Sequence, residues 1–222
     1  MEVNLIALSK PTAYTDCLTA EQLVAYAARV SNPANQNNTE TAGKLVRYLI
    51  RENHWSPLEM VHMTMEIKTT RDISRQILRH RSFSFQEFSQ RYAESEEFIH
   101  DREARIQDPK NRQNSHLIEN VREQKGFQEK WNMIQKSMLD TATHAYDMAL
   151  DMGIAKEQAR ALLPEGLTGT TLYMSGSLRS WIHYCDLRMA NGTQKEHMDI
   201  AKRCWSVIGQ HFPDVIKAVE GD

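Results

Sequence analysis

Between Arg79 and Arg91 the chain carries three arginines, a histidine, a glutamate, three serines and three phenylalanines. Arginine's planar fork gives a phosphate two parallel charge-assisted hydrogen bonds and keeps its proton at any working pH. Serine hydroxyls and loop amides add short donors without adding charge, and phenylalanine faces can stack on an aromatic base. The chemistry expected is capture of a phosphorylated aromatic ligand. The basic run begins upstream, because Arg71, Arg75 and Arg79 recur every four residues with Gln76 beside them. A solvated helix face with ordinary surface ion pairs is the plain alternative for such a stripe. Against it, the five arginines from Arg71 to Arg91 meet only Asp72 and Glu87, and the stripe runs into a loop holding Ser84, Ser89 and Arg91 rather than into matching acids.

Other groups could carry chemistry. His54, before Trp55-Ser56-Pro57, is a secondary candidate for proton transfer, with a structural hydrogen-bonding role as the alternative. Ser89 lacks an adjacent base, since Glu87 lies among arginines that favour its ionised form; Ser89 reads as a ligand contact rather than a nucleophile. Cys185 falls on the apolar side of its helix and reads as a small core hydrophobe. Arg188 lies beside that same apolar side, one turn after Tyr184 and Cys185. Either its head reaches water while its stem covers the core, or it takes an anionic or carbonyl partner from a ligand; Arg160 is open in the same way. The nine histidines form no His-Glu-x-x-His pair and no cysteine joins one at zinc-ligand spacing, so no protein-bound metal is expected.

These groups need a scaffold. At 222 residues, with 41% hydrophobic and 25% charged residues, the chain suits one compact domain with a real core. A net charge of −2 provides no polycation for long nucleic acid, so none is expected as a partner, and the local positive patch suits a small anion. Cys17, Cys185 and Cys204 are odd in number and far apart, which favours a reducing compartment. Without a leader-like start or a membrane-length apolar run, the expectation is a soluble, cytoplasmic protein.

Period-two alternation over Val61 to Lys68 predicts a half-buried strand, and Val3 to Leu8 a shorter one. Helices are predicted over Glu21 to Val30, Thr39 to Asn53, Ala155 to Leu163, Ser177 to Met189 and Lys195 to Phe212, with a long one from about Leu117 to Met152 that Gly153 can end. Thr69 and Asp72 are spaced for a capping box, opening a helix whose Ile73 and Ile77 face the core. Leu167 to Met174 is either a strand or an extended linker. The stretch near 94–115 reads as a mobile polar excursion, of the kind that can cover a site. The class is α+β: a single domain over residues 1–222 with a mixed or antiparallel sheet flanked by helices, one of them long and in the second half.

Arg79-His80-Arg81, followed by Ser84, Glu87, Ser89 and Arg91, resembles the signature of flavin-dependent thymidylate synthases. The likeness extends upstream to Gln76 and to His54 with Ser56-Pro57. Downstream it takes in Ala159-Arg160, Leu163-Pro164, the Ser177-Arg179-His183 helix, Leu187-Arg188 and Gln194-Lys195-Glu196, and so spans about His54 to Glu196. The resemblance implies a homotetramer with active sites between subunits around FAD. Such enzymes make dTMP from dUMP, taking a one-carbon unit from methylenetetrahydrofolate and reducing equivalents from NADPH, without a cysteine nucleophile. By position it implies Gln76, Arg79, Glu87, Ser89, Gln90, Arg91, Arg160 and Arg188 around dUMP, with Arg188 catalytic through charge on the uracil ring. It implies Ser56, Arg79, His80, Arg81, Glu87, Ser177, Arg179 and His183 around FAD. No Gly-x-Gly-x-x-Gly follows a strand, so FAD rests on the resemblance alone. Three positions depart from the pattern: His183 stands for an asparagine, Gly192 for a histidine, and Trp55 is unusually bulky. The competing readings are a non-catalytic nucleotide or RNA binding module and a flavoprotein NADPH oxidase without synthase activity.

Overall fold

The computed structural model describes residues 1–99 and 101–221. The alternating apolar run forms β2 (His62–Thr70), which places Met63, Met65 and Ile67 on a buried face and His62, Thr64, Glu66 and Lys68 on the other. β1 (Glu2–Leu8) pairs with one edge of β2, and β6 (Gly169–Ser177) pairs with the other, so the stretch after Leu167 is a central strand and not a linker. β3 (Ser84–Glu87) closes the order β1-β2-β6-β3, with every neighbour antiparallel. The expected loop at Ser84 is therefore a strand. Its short pleat sends Phe85 and Glu87 to the helix-covered face and leaves Ser84 and Gln86 opposite Ser175 and Tyr173 on the open one.

One face of this sheet carries the core, where Leu172 and Met174 of β6 meet Leu178, Trp181 and Ile182 of α6 (Leu178–Met189). The Trp181 indole satisfies its one donor on the Met63 carbonyl at 3.2 Å. α1 (Ala20–Ala28) and α2 (Ala42–Arg51) complete this layer, together with α7 (Lys195–His211) and α8 (Pro213–Glu220). α8 lies beyond the expected end of the last helix: Pro213 sits in its first turn, where a missing N–H costs nothing. α3 (Arg71–Ile77) is shorter than the arginine spacing suggests, so Arg79 lies past its end and the stripe is divided. The expected capping box is absent too, since Thr70 is the cap residue and its hydroxyl goes to Asp72 at 2.5 Å.

The second half adds α4 (Val121–Asp151), and α5 (Lys156–Ala159) follows it. Asn120 caps α4 by accepting from the amides of Arg122 and Glu123. The excursion near 94–115, whose residue 100 is outside the described residues, contributes β4 (Ile106–Gln107), paired with β5 (Ser115–His116). Three glutamines of α4 fasten it. Gln124 donates to the Ala104 carbonyl at 2.8 Å, Gln128 accepts from the Ala104 amide at 2.7 Å and Gln135 accepts from the Arg102 amide at 3.1 Å.

Glu21 is buried and accepts from the Asp214 amide at the start of α8 at 2.9 Å. Burial, opposed by that hydrogen bond, pushes its carboxyl up to about 7. The folded chain then holds a proton that the unfolded chain releases above 4.5, so stability falls as pH rises from 4.5 to about 7. Glu21→Gln keeps the acceptor and removes the titration, and should raise the melting temperature by several degrees at pH 8 and hardly at all at pH 5. An equal shift at both pH values in a calorimetric scan would refute this.

Candidate functional site

Three groups of the motif side chains stand on this frame. The first is a hollow of about 480 Å³ lined by Arg71, Arg75, Gln90, Glu157, Arg160 and Glu165. Arg75 grips Glu165 with two nitrogens, at 2.6 and 3.2 Å, and Arg91 reaches Glu157 at 3.3 Å. Both arginines and both acids are well exposed, so these pairs are weak and open to exchange for a better anion. Arg160 is held by the Glu157 carbonyl at 3.2 Å. Arg71 is buried, with its Nη1 3.8 Å from Glu87, an ion-pair contact too long for a hydrogen bond. It belongs to the interior and not to a shared surface stripe. Glu87 also accepts from Ser74 at 2.8 Å and Thr170 at 3.0 Å, which fixes its carboxylate beside Arg71. Ser89 accepts from the Arg91 amide at 3.4 Å, and Gln90 is buried against Ser95 at 2.7 Å.

The second group lies where α3, α6 and α7 meet. Arg188, half-buried near the end of α6, donates through Nε to His80 Nε2 at 2.9 Å. Burial and the adjacent Arg188 charge lower His80 to about 4, so its ring is neutral at pH 7 and serves as an acceptor there. The Tyr184 ring meets His80 edge-on at 4.9 Å. Gln76 donates to Gln194 at 2.7 Å, and its carbonyl oxygen lies 3.3 Å from His197.

A third group borders the open face of the sheet. Ser177 caps α6 by accepting from the Ser180 amide, Ser180 reaches the Ser82 carbonyl at 3.4 Å, and Ser84 and Ser175 line the same hollow of about 450 Å³. Gly176 lies between Ser175 and Ser177, where any Cβ would strike the Phe83 ring. Arg179 pairs with Glu59 at one side. His183 packs on Trp55 with ring centroids 4.4 Å apart, so two of the three departures form one contact. Gly192, the third, has φ +93° in the turn before α7, a backbone state that only glycine adopts without strain. Burial, then Arg179, lowers the His183 pKa.

Gln76, His80 and Arg188 thus come together, and so do Glu87, Ser89, Gln90, Arg91 and Arg160, while Ser177 and Arg179 share a ledge with His183 nearby. Arg79, Arg81 and Ser56 are exposed and belong to none of the three hydrogen-bonded groups described here. Within one chain the residues expected around dUMP and FAD therefore stand in separate places. His54 is exposed on the turn after α2, where its amide closes the helix on the Leu49 carbonyl at 2.7 Å and Asn53 takes φ +58°. Cys185 and Cys204 are fully buried, which pushes both thiols up. Among the described residues no three His, Cys, Asp or Glu side chains gather as a metal set would, and no helix is long and apolar enough to cross a membrane.

Sequence reasoning missed Glu157 and Glu165, which nothing local marks, and also His197 and Tyr184. His197 did carry a signal: it stands in register with Ile200, Ala201, Cys204 and Ile208 on the apolar side of α7, where a histidine is out of place.

A family model described as thymidylate synthase complementing protein matches residues 13–214. The chain is 50% identical over 220 residues to a probable flavin-dependent thymidylate synthase of Paramecium bursaria Chlorella virus 1, covering 99% of each. It is 49% identical over 223 residues to a flavin-dependent thymidylate synthase of Synechocystis, covering 99% of this chain and 100% of that one. Among solved structures, a UMP/dUMP methylase PolB from Streptomyces cacaoi bound with 5-Br dUMP superposes with a TM-score of 0.79 at 25% identity, over 99% of this chain and 94% of the other.

Proposed function

The chain belongs to the thymidylate synthase complementing protein family, the flavin-dependent thymidylate synthases, and on that premise we propose that its three groups are parts of one site completed between subunits. The activity is flavin-dependent methylation of dUMP to dTMP. The observation that carries the site assignment is the gathering of Arg71, Arg75 and Arg160 around one hollow, with Arg91 paired to its Glu157, in a chain of net charge −2. Arg91 and Arg160, with Ser89 and Gln90, hold the nucleotide phosphate, while Gln76, Arg79 and Arg188 reach the base from another subunit. Glu87, fixed beside Arg71, serves both ligands.

The ledge of Ser177 and Arg179, with His183 nearby, would hold FAD together with Ser56, Arg79, His80 and Arg81, because hydroxyls and guanidinium groups are the donor set that a pyrophosphate requires. When bound, FAD relays reducing equivalents from NADPH to the one-carbon unit of methylenetetrahydrofolate. Arg188 lies where charge develops on the uracil ring, and buried Cys185 has no part. His54, exposed on its turn, stays a secondary candidate.

A homotetramer suits the surface of α4. Phe127, Trp131, Ile134, Met138 and Met148 are exposed on it, and the first four fall at a coiled-coil spacing that calls for a partner helix. The whole chain acts as one domain, with the excursion near 94–115 as the element that moves over the site, in a cytoplasmic setting suited to free cysteines. Purified protein should be yellow and make dTMP from dUMP, methylenetetrahydrofolate and NADPH. Colourless protein that stays inactive after FAD reconstitution would overturn the reading, and flavin bleaching by NADPH without dTMP would replace it with an oxidase.

A further inference from the structure

His197 is the least expected residue in the core: a fully buried imidazole in the first turn of α7. Both ring nitrogens are used. Nε2 lies 3.1 Å from the Tyr184 hydroxyl, and Nδ1 lies 3.3 Å from Gln76 Oε1. The proton can be placed from the far end of this chain. Gln76 donates through Nε2 to Gln194 Oε1 at 2.7 Å, so its carbonyl oxygen is the atom turned inward to His197. An inward carbonyl needs a donor, so His197 carries its proton on Nδ1. Nε2 is then an acceptor, and the Tyr184 hydroxyl supplies it.

We infer that His197 is a positioning residue that sets which end of the Gln76 amide faces the nucleotide. With the carbonyl held inward, Gln76 turns its NH₂ group away from His197 and onto Gln194. One of its two hydrogens serves Gln194, and the other is left for an acceptor on the ligand, such as a pyrimidine carbonyl oxygen. Were the amide reversed, an acceptor would face that oxygen and repel it. The arrangement is robust because the ring stays neutral. Burial, then the charges of Arg188 and His80, lowers His197 to about 3. The groups facing it are Gln76 from α3, His80 from the segment after α3, and Tyr184 and Arg188 from α6; no carboxylate is among these to stabilise an imidazolium. Burial also keeps Tyr184 protonated and able to donate.

This inference rests on the nucleotide reading above, and the variants separate the two. Asparagine places an amide N–H where Nδ1 stood, whereas glutamine reaches toward Tyr184 and abandons Gln76. In the FAD-loaded protein, His197→Asn should keep the KM for dUMP within about threefold of wild type. His197→Gln and His197→Leu should raise it about tenfold, with kcat changed less. The double variant His197→Leu/Tyr184→Phe removes the stranded hydroxyl and should regain most of the lost melting temperature, yet keep the raised KM. A purely structural role would restore both together. The ¹⁵N spectrum of the unliganded protein should show His197 neutral and protonated at Nδ1 at pH 7. Equal dUMP affinity in the asparagine and glutamine variants, or wild-type affinity in the double variant, would overturn the positioning role alone. A wild-type flavin band that does not respond to dUMP would overturn the nucleotide reading beneath it.

Discussion

Arg188→Ala is expected to lower dTMP turnover by about a hundred- to a thousandfold, the loss that follows removal of one preorganised donor at a developing negative charge. The guanidinium is oriented before any ligand arrives. Its Nε is committed to His80 at 2.9 Å, which leaves the terminal nitrogens for the substrate. Because His80 is neutral, it accepts that hydrogen bond without adding charge, and the full cationic field of Arg188 remains available. Arg188→Lys should recover little, since an ammonium group has no fixed fork with which to hold His80 and the uracil ring together. The side chain is half-buried and its loss leaves a neutral histidine with one fewer partner, so the melting temperature should fall by only a few degrees. Steady-state rates measured beside thermal melts decide the matter. Unchanged dTMP formation refutes the assignment, and a collapse of folding would make Arg188 a structural residue.

Mixing two inactive variants should restore activity. Arg160 belongs to the hollow beside α5 and Arg188 to the junction of α6 and α7, and among the described residues no hydrogen bond or ion pair joins the two groups. If each site takes the phosphate wall from one subunit and the base wall from another, Arg160→Ala and Arg188→Ala each inactivate every site in a pure tetramer. Random co-assembly from equal amounts leaves about a quarter of the sites with both walls intact. Co-expression of the two genes, followed by assay of the mixed tetramer, should therefore give about a quarter of wild-type turnover. Recovery no greater than that of the separate variants would place both residues in a site made by one chain.

The sequence announced the chemistry better than its arrangement. Strict alternation fixed β2 because a half-buried strand leaves no other solution for Val61 to Lys68. The apolar spacing of Leu178, Trp181, Ile182 and Cys185 likewise marked α6. β3 was not legible, because Ser84 to Glu87 alternates polar and mixed side chains and takes its extended form from pairing with β6, a partner far along the chain. The arginine stripe misled for a related reason: helical spacing says which residues could align, whereas the end of α3 at Ile77 decides which do. Arg71 turned inward to Glu87 and Arg75 paired with Glu165 across ninety residues, neither of which local pattern can show. His197 was visible only as an oddity on an apolar stripe, since its meaning depends on two residues from other helices.

The two inner strands end without slack. β2 passes from Thr70 directly into α3 at Arg71, and β6 passes from Ser177 directly into α6 at Leu178. An added residue at either junction would turn the helix by about 100° on its axis, swinging Gln76 or Arg188 away from its neighbours while the sheet stayed whole. Insertions that this architecture tolerates should therefore be absent from the two seams where strand becomes helix.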